Sequence, residues 1–268
     1  MNKPLVHCAV IGNPISHSLS PKIHRAFARQ IGVNLKYSKV KLEQPQLSQF
    51  IQEFFSQGGL GLNVTAPFKA DVIECISKLS KAADVCQSVN TVFKNSAGEL
   101  VGDSTDGPGI IMDLKRLTYL SKRPSQLKKM RIVIIGAGGA SIPVALSLLC
   151  EGCDLTVLNR TESKVTNIVK RLAAFGSISA FDDSSDEPLD GIISATSVFN
   201  KVLFGRAIKR LKPDGFVYDL NYAERAEELR SYCVRAGLTK VSDGYGMLLG
   251  QAAKSFEIWH GKLPAIEI

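Results

Sequence analysis

A lysine at the expected start of a helix is the first residue whose position suggests chemistry. Asn63-Val64-Thr65-Ala66-Pro67-Phe68-Lys69 reads as the end of a buried strand followed by a proline-initiated helix over Phe68 to Ser77. Lys69 would fall in the first turn of that helix, where the dipole opposes positive charge and would depress its pKa. A lysine so placed is a candidate general acid or base. Three further segments carry small polar residues. Ser16-His17-Ser18-Leu19-Ser20-Pro21 puts Pro21 at a first helical position and Ser20 at the cap before it. That is an ordinary capped helix, and its extra hydroxyls also make it a seat for a carboxylate. Ser88-Val89-Asn90-Thr91 is a polar pair after an apolar stretch, and Gly102-Asp103-Ser104-Thr105-Asp106-Gly107 reads, taken alone, as a turn.

A fifth segment points to a nucleotide. Arg131-Ile132-Val133-Ile134-Ile135 is an apolar strand after its first residue, followed by Gly136-Ala137-Gly138-Gly139-Ala140, a helix over Ser141 to Leu149, and a second strand over Asp154 to Leu158. Glycines there permit a tight turn and let backbone N–H groups approach a pyrophosphate at the helix N-terminus. The third glycine of the G-x-G-x-x-G pattern is replaced by Ser141, so the complete strand-turn-helix-strand context carries the reading, against a ligand-free glycine turn. An NAD-binding unit places an acid about 20 residues after the first glycine, on the ribose 2′-hydroxyl. Here Asn159-Arg160-Thr161 and Lys164 stand in that region, with no carboxylate at the strand end. Cations grip a 2′-phosphate that a carboxylate would repel, so NADP is favoured over NAD.

These residues need a scaffold, and the patterning supplies one. Val6 to Ile11, Lys36 to Val40 and Leu60 to Val64 read as strands; Pro21 to Ile31 and Leu47 to Phe55 read as helices. Strands alternating with helices predict parallel pairing and an α/β class. Asp182 to Pro188 is a polar loop, and Met247 to Trp259 a last helix with small residues Gly250, Ala252 and Ala253.

With 268 residues the chain suits one large or two ordinary domains. Its net charge of +8 favours anionic partners, but the basic residues are spread out. The densest cluster, Lys122-Arg123 to Lys128-Lys129-Met130-Arg131, reads as a solvated linker rather than a nucleic-acid patch. Cys150-Glu151-Gly152-Cys153 straddles an expected helix end and has no second pair, which speaks against zinc. No apolar run reaches the roughly 18 residues of a membrane span. No signal peptide is visible, so the expected compartment is the reducing cytoplasm.

In order along the chain, these segments resemble the shikimate dehydrogenase family, whose motifs run S-x-S-P, N-V-T-x-P-x-K, N-T and N-T-D-G. The family's nucleotide turn is G-A-G-G-A, with N-R-T at the end of the second strand. The resemblance continues at Tyr218-Asp219-Leu220-Asn221-Tyr222, at Asp243 to Ala252 and at Trp259-His260-Gly261, and so covers nearly the whole chain. It implies an α/β fold of two domains: a substrate-binding catalytic domain over 1–106 plus 241–268, a Rossmann-like NADP-binding domain over 107–240, and a cleft between them. It implies NADPH-dependent, reversible reduction of 3-dehydroshikimate to shikimate, on the route to chorismate and the aromatic amino acids.

By the same resemblance, Ser18 and Ser20 hold the ring carboxylate, and Thr65, Asn90, Tyr222 and Gln251 bind the carboxylate or ring hydroxyls. Lys69 and Asp106 form the catalytic pair, with Lys69 donating the proton and Asp106 orienting it. Asp106 would offset the depression expected from a helix start, and the sequence leaves open which effect wins. NADP(H) falls to Gly136, Ala137, Gly138, Gly139, Ala140, Asn159, Arg160, Thr161 and Lys164, with Thr196 and Ser197 after the apolar run 190–195. Leu220, Gly244 and Met247 would lie near the nicotinamide. No metal, nucleic acid or membrane is implied, and the assembly would be a monomer or homodimer. The chain departs from the family pattern at Ser104, Pro108, Lys81 and the bulky loop Val198 to Phe204. The rival readings are a quinate/shikimate dehydrogenase relative of broader substrate or NAD use, and a nonenzymatic ligand sensor on the same fold.

Overall fold

Nine of the first segments fold as short strands and helices, and alternating residues of the first strand enter two separate apolar clusters. The nine are β1 (Val6–Gly12), α1 (Ser20–Ile31), β2 (Leu35–Lys41), α2 (Leu47–Ser56), β3 (Gly61–Val64), β4 (Lys78–Leu79), α3 (Lys81–Cys86), β5 (Thr91–Lys94) and β6 (Leu100–Asp103). Helix α4 (Asp106–Arg116) follows. The computed structural model describes residues 3–117 and 127–266, so Lys122-Arg123 of the basic cluster lies outside the described residues. The chain divides into two units, 1–109 with 249–268, and 110–248.

The first unit holds a six-stranded sheet in the order β2-β1-β3-β5-β6-β4. β1 pairs in parallel with β2 and β3, as the alternation of strands and helices predicts. The expectation of parallel pairing fails at β5, which runs antiparallel to both β3 and β6, and holds again where β4 pairs with β6. Asn95 builds the turn that joins β5 to β6. Its Oδ1 accepts the N–H groups of Ala97 and Glu99 at 3.0 Å, and Gly98 takes φ +80°. This is a side-chain-built turn that a helix-or-strand period does not reveal. Ile11, Ile51, Leu62, Phe68, Val72 and Val92 fill the core against this sheet.

Phe68 to Ser77 is not an α-helix. Residues 65–70 form consecutive turns, and a 3-10 stretch covers Asp71–Cys75. The β-branched Val72, Ile73 and Ile76 weaken helix propensity, and the Ser77 N–H leaves for the Leu100 carbonyl at 3.0 Å to start the β4–β6 edge. The dipole argument for a depressed Lys69 pKa therefore has no helix behind it. At α1 the cap also differs from expectation. Ser20 is the first helical residue and makes no cap with its side chain; its own N–H donates to Ser18 Oγ at 3.3 Å.

The second unit is β7 (Arg131–Ile135), α5 (Ser141–Cys150), β8 (Asp154–Leu158), α6 (Glu162–Leu172), β9 (Ile178–Ala180), β10 (Leu189–Ser194), α7 (Lys201–Ile208), β11 (Leu211–Asp219), α8 (Glu227–Arg235) and β12 (Val241–Ser242). All its strand pairs are parallel, in the order β12-β11-β10-β7-β8-β9. That is the doubly wound dinucleotide order, with its reversal between β7 and β10. α5 ends as expected near Gly152, which takes φ +83° while Cys153 N–H returns to the Leu148 carbonyl. The last helix, α9 (Tyr245–His260), carries the chain back into the first unit. No helix of the described residues is long and apolar enough to cross a membrane, and no group of three or more His, Cys, Asp or Glu among them could hold a metal ion.

Candidate active site

The strand directions of the first unit bring four distant segments to one end of its sheet. β1, β3 and β6 run the same way, so Gly12-Asn13, Thr65-Ala66 and Ser104-Thr105 follow their C-terminal ends. Because β5 is antiparallel, Asn90 precedes its N-terminus at that same end. The register pairs Ile11 with Val64, Asn63 with Thr91 and Thr91 with Asp103. The hairpin missed in the sequence is thus what places Asn90 beside Asp106.

Lys69 Nζ donates to Asp106 Oδ2, in an ion pair whose side chains are 19 % and 7 % exposed. Asp106 Oδ1 takes Asn90 Nδ2 at 2.9 Å. Asn90 Nδ2 also reaches Thr105 Oγ1 at 3.0 Å and Gln251 Oε1 at 3.3 Å, while its Oδ1 accepts the Thr105 N–H at 2.9 Å. The Lys69 carbonyl is held by the Val89 N–H at 2.8 Å. Both carboxylate oxygens are therefore occupied, and among the described residues the ammonium has one side-chain partner, which leaves protons for a ligand. The sequence pairing of Lys69 with Asp106, Asn90 and Gln251 appears here as one connected group.

A layer of buried hydroxyls and amides backs that group, and sequence reasoning missed it. Ser255 on α9 is fully buried and lies 2.7 Å from Thr91 Oγ1, 3.1 Å from Thr105 Oγ1 and 3.0 Å from Asn63 Nδ2. Tyr37 Oη donates to Asn63 Oδ1 at 2.7 Å. A signal existed: Asn63, Thr91 and Ser255 are polar residues inside otherwise apolar periodic runs. Beyond Asn63, His24 is buried and stacked on Tyr37 at 4.5 Å, with Trp259 at 5.2 Å. Burial first, then the His260 charge, lowers the His24 pKa to about 3.

Ser18 Oγ, in the loop between β1 and α1, donates at 3.2 Å to Ser20 Oγ at the start of α1. Thr65 N–H donates to the Ile11 carbonyl, and Gly12 has no room for a side chain because a Cβ there would lie 2.4 Å from Thr65 Cγ2. Ser104, the departure noted in the sequence, is buried, and its hydroxyl has no partner among the described residues. Tyr222 belongs to the second unit, directly after β11.

In the second unit a pocket of about 430 Å³ opens at the reversal between β7 and β10. Gly136, Ala137, Gly138, Gly139 and Ala140 line it, with Asn159, Lys164, Thr196, Ser197 and Leu220 of the expected set. Arg160, Thr161, Gly244 and Met247 do not line it; Arg160 and Thr161 are exposed beside it. Ala195 and Asn221 line it without having been expected. Gly136 takes φ +116°, and a Cβ there would lie 2.8 Å from the Ala195 carbonyl oxygen. A Cβ on Gly138 would meet nothing nearer than 3.9 Å, so this glycine leaves an open approach to the backbone. Ser141, in place of the third glycine, accepts the Gly138 N–H on its hydroxyl at 3.0 Å and locks the turn. Thr196 Oγ1 is buried with no partner among the described residues. A glycine cradle at a helix start, an unspent hydroxyl and a nearby lysine fit a dinucleotide.

Gly244 is required for another reason. Its N–H donates to the Asn221 carbonyl at 2.8 Å, and a Cβ there would lie 2.2 Å from the Leu220 oxygen. Met247 N–H donates to Tyr218 Oη at 3.2 Å, and Tyr218 donates in turn to the buried Asp113 at 2.6 Å. Gly244 and Met247 thus fix the entry to α9. Asp219, buried below Asn221, has its pKa raised to about 6 by desolvation, against the stabilising N–H groups of Asn221.

Comparison with known proteins agrees over most of the length. Three family models match in succession: the shikimate dehydrogenase substrate binding domain over residues 10–92, shikimate/quinate 5-dehydrogenase over 119–221, and the shikimate 5′-dehydrogenase C-terminal domain over 244–268. A shikimate dehydrogenase structure from Aquifex aeolicus is 29 % identical with a TM-score of 0.82, covering 99 % of this chain and 96 % of that one. A shikimate 5-dehydrogenase from Thermus thermophilus, solved with NADP(H) and shikimate, is 28 % identical with a TM-score of 0.82, covering 97 % and 95 %. One from Listeria monocytogenes, solved with shikimate and NAD, is 27 % identical with a TM-score of 0.82, covering 98 % and 93 %.

Proposed function

Because the chain belongs to the shikimate dehydrogenase family, we propose that it interconverts 3-dehydroshikimate and shikimate reversibly with NADP(H). The observation that carries this reading is the Lys69–Asp106 pair, fixed by Asn90 inside a buried field of hydroxyls and amides. A binding protein for a polyhydroxylated acid needs the field but not a half-buried ammonium held with protons to spare.

Bound NADPH supplies the hydride that reduces the carbonyl carbon. Lys69 Nζ gives the proton that the carbonyl oxygen gains, becomes a neutral amine, and is reprotonated from solvent. Asp106 keeps the amine aimed before and after the transfer. Asn90 and Gln251 supply amides to ring hydroxyls, and Ser18 and Ser20 supply hydroxyls to the carboxylate. In reverse, the neutral lysine accepts the proton of the shikimate hydroxyl. Lys164, with Arg160 beside it, attracts the 2′-phosphate that separates NADP from NAD.

The test is a matrix of kcat/KM for shikimate and quinate, each with NADP+ and NAD+. Shikimate with NADP+ is expected to lead. A lead for quinate with NAD+ would favour the broader relative, and binding of shikimate with no turnover would favour the ligand sensor.

A further inference from the structure

Asn221 lies at the end of the pocket away from Lys164, and its side chain ties together pieces of chain that the fold leaves separate. Nδ2 donates to the Thr196 carbonyl at 2.7 Å and to Asp219 Oδ1 at 2.9 Å. Its backbone N–H donates to the same carboxylate oxygen at 3.1 Å, and its carbonyl receives the Gly244 N–H at 2.8 Å. The loop after β10, the end of β11 and the entry to α9 are therefore held through one residue. Both amide protons are committed to protein acceptors, so this carboxamide is a strap first.

The strap has a purpose that the pocket makes visible. Thr196 carries a buried hydroxyl with no partner among the described residues at the pocket wall, and Ser197 follows it in the lining. Val198, the next residue, is exposed, and Phe199 anchors the far end of the loop by packing on Phe204 and Tyr232 at 5.5 Å, so the Asn221 bond ties the near end at Thr196. In a doubly wound sheet the two halves of a dinucleotide lie on opposite sides of the strand reversal. Asn159 and Lys164 follow β8, on the adenosine side; Thr196 and Asn221 follow β10 and β11, on the other. We propose that Asn221 is a positioning residue for the nicotinamide half of the cofactor, fixing the Thr196-Ser197 loop by bridging the Thr196 carbonyl to Asp219. The proposal rests on the assignment of NADP(H) to this pocket.

The experiment measures Kd by titration of the full chain with NADPH and, separately, with 2′,5′-ADP, which carries the adenosine half alone. For Asn221→Leu, with two hydrogen bonds removed at similar size, the NADPH Kd is expected to rise about tenfold. The 2′,5′-ADP Kd should stay within about twofold of the wild type on the same two-hydrogen-bond argument. Asn221→Asp keeps the shape but turns both donors into acceptors facing the Thr196 carbonyl and Asp219, so it should show the same split, at least as large. It also decides the matter if the leucine variant does not fold. Unchanged NADPH binding in either folded variant, or an equal loss for both ligands, overturns the strap. Failure of the wild type to bind NADPH would instead refute the cofactor assignment beneath it.

Discussion

Asn90 Nδ2 lies 2.9 Å from Asp106 Oδ1, the carboxylate whose other oxygen takes Lys69. The same Asn90 accepts the Thr105 N–H, so the residue before the aspartate and the aspartate itself are aimed by one amide. Fixing the carboxylate at both oxygens fixes the lysine, and that makes the pair a directed proton donor rather than a loose surface contact.

Removing the amine should separate binding from chemistry. Lys69→Ala is expected to retain shikimate affinity to within a few fold, measured by equilibrium titration, and to lose turnover by about 10²–10⁴-fold, the range for a positioned acid or base. Asp106 is then left buried without its cation, which costs stability as well. Asp106→Asn keeps the shape and should lower kcat more than it raises KM. An active Lys69→Ala enzyme would remove the lysine from the mechanism.

Ser255 tests the layer behind the pair. Ser255→Ala leaves Thr91, Thr105 and Asn63 each short of a partner in a fully buried place. Urea denaturation is expected to show a loss of about 1–3 kcal/mol, the cost of unsatisfied buried groups. Turnover should fall with it, because Thr105 helps aim Asn90. A variant as stable as the wild type would mean that the neighbouring hydroxyls re-pair among themselves.

The cofactor preference should follow the cations after β8. Lys164 lines the pocket and Arg160 is exposed beside it. Arg160→Ala with Lys164→Ala is expected to weaken NADPH by roughly ten- to hundredfold, as for charge-assisted bonds, and to leave NADH nearly unchanged. Added salt should weaken NADPH binding to the wild type and do little to the double variant. Equal losses for both cofactors would assign these residues to the adenosine in general.

What could be read in the sequence was whatever local pattern dictates. The strand-turn-helix at 131–150 is legible because an apolar run, glycines and a helix follow in register, and Gly136 indeed needs a backbone closed to other residues. Phe68 to Ser77 misled because its apolar spacing fits a helix while its β-branched residues and the pull of β6 on Ser77 favour tight turns. The β5–β6 hairpin turns on Asn95, whose own side chain builds the turn. Ser255 and Asn221 act through partners up to 192 and 25 residues away, a separation no periodicity encodes.

Acid stability should depend on His24. Its ring is buried among Tyr37, Phe27, Phe256 and Trp259, with Asn63 the polar side chain nearest in effect. The folded protein holds its pKa near about 3, against 6.5 when exposed. The unfolded chain therefore takes up a proton below pH 6.5 that the folded chain refuses, and stability falls as pH drops from 6.5 toward 3. Above pH 6.5 the group is neutral in both states and has no effect. His24→Phe keeps an aromatic ring in the stack and removes the proton. Its melting temperature should thus decline less than that of the wild type between pH 6.5 and 4, with the two curves parallel above pH 7. Curves that stay parallel down to pH 4 would show that other groups govern the acid transition.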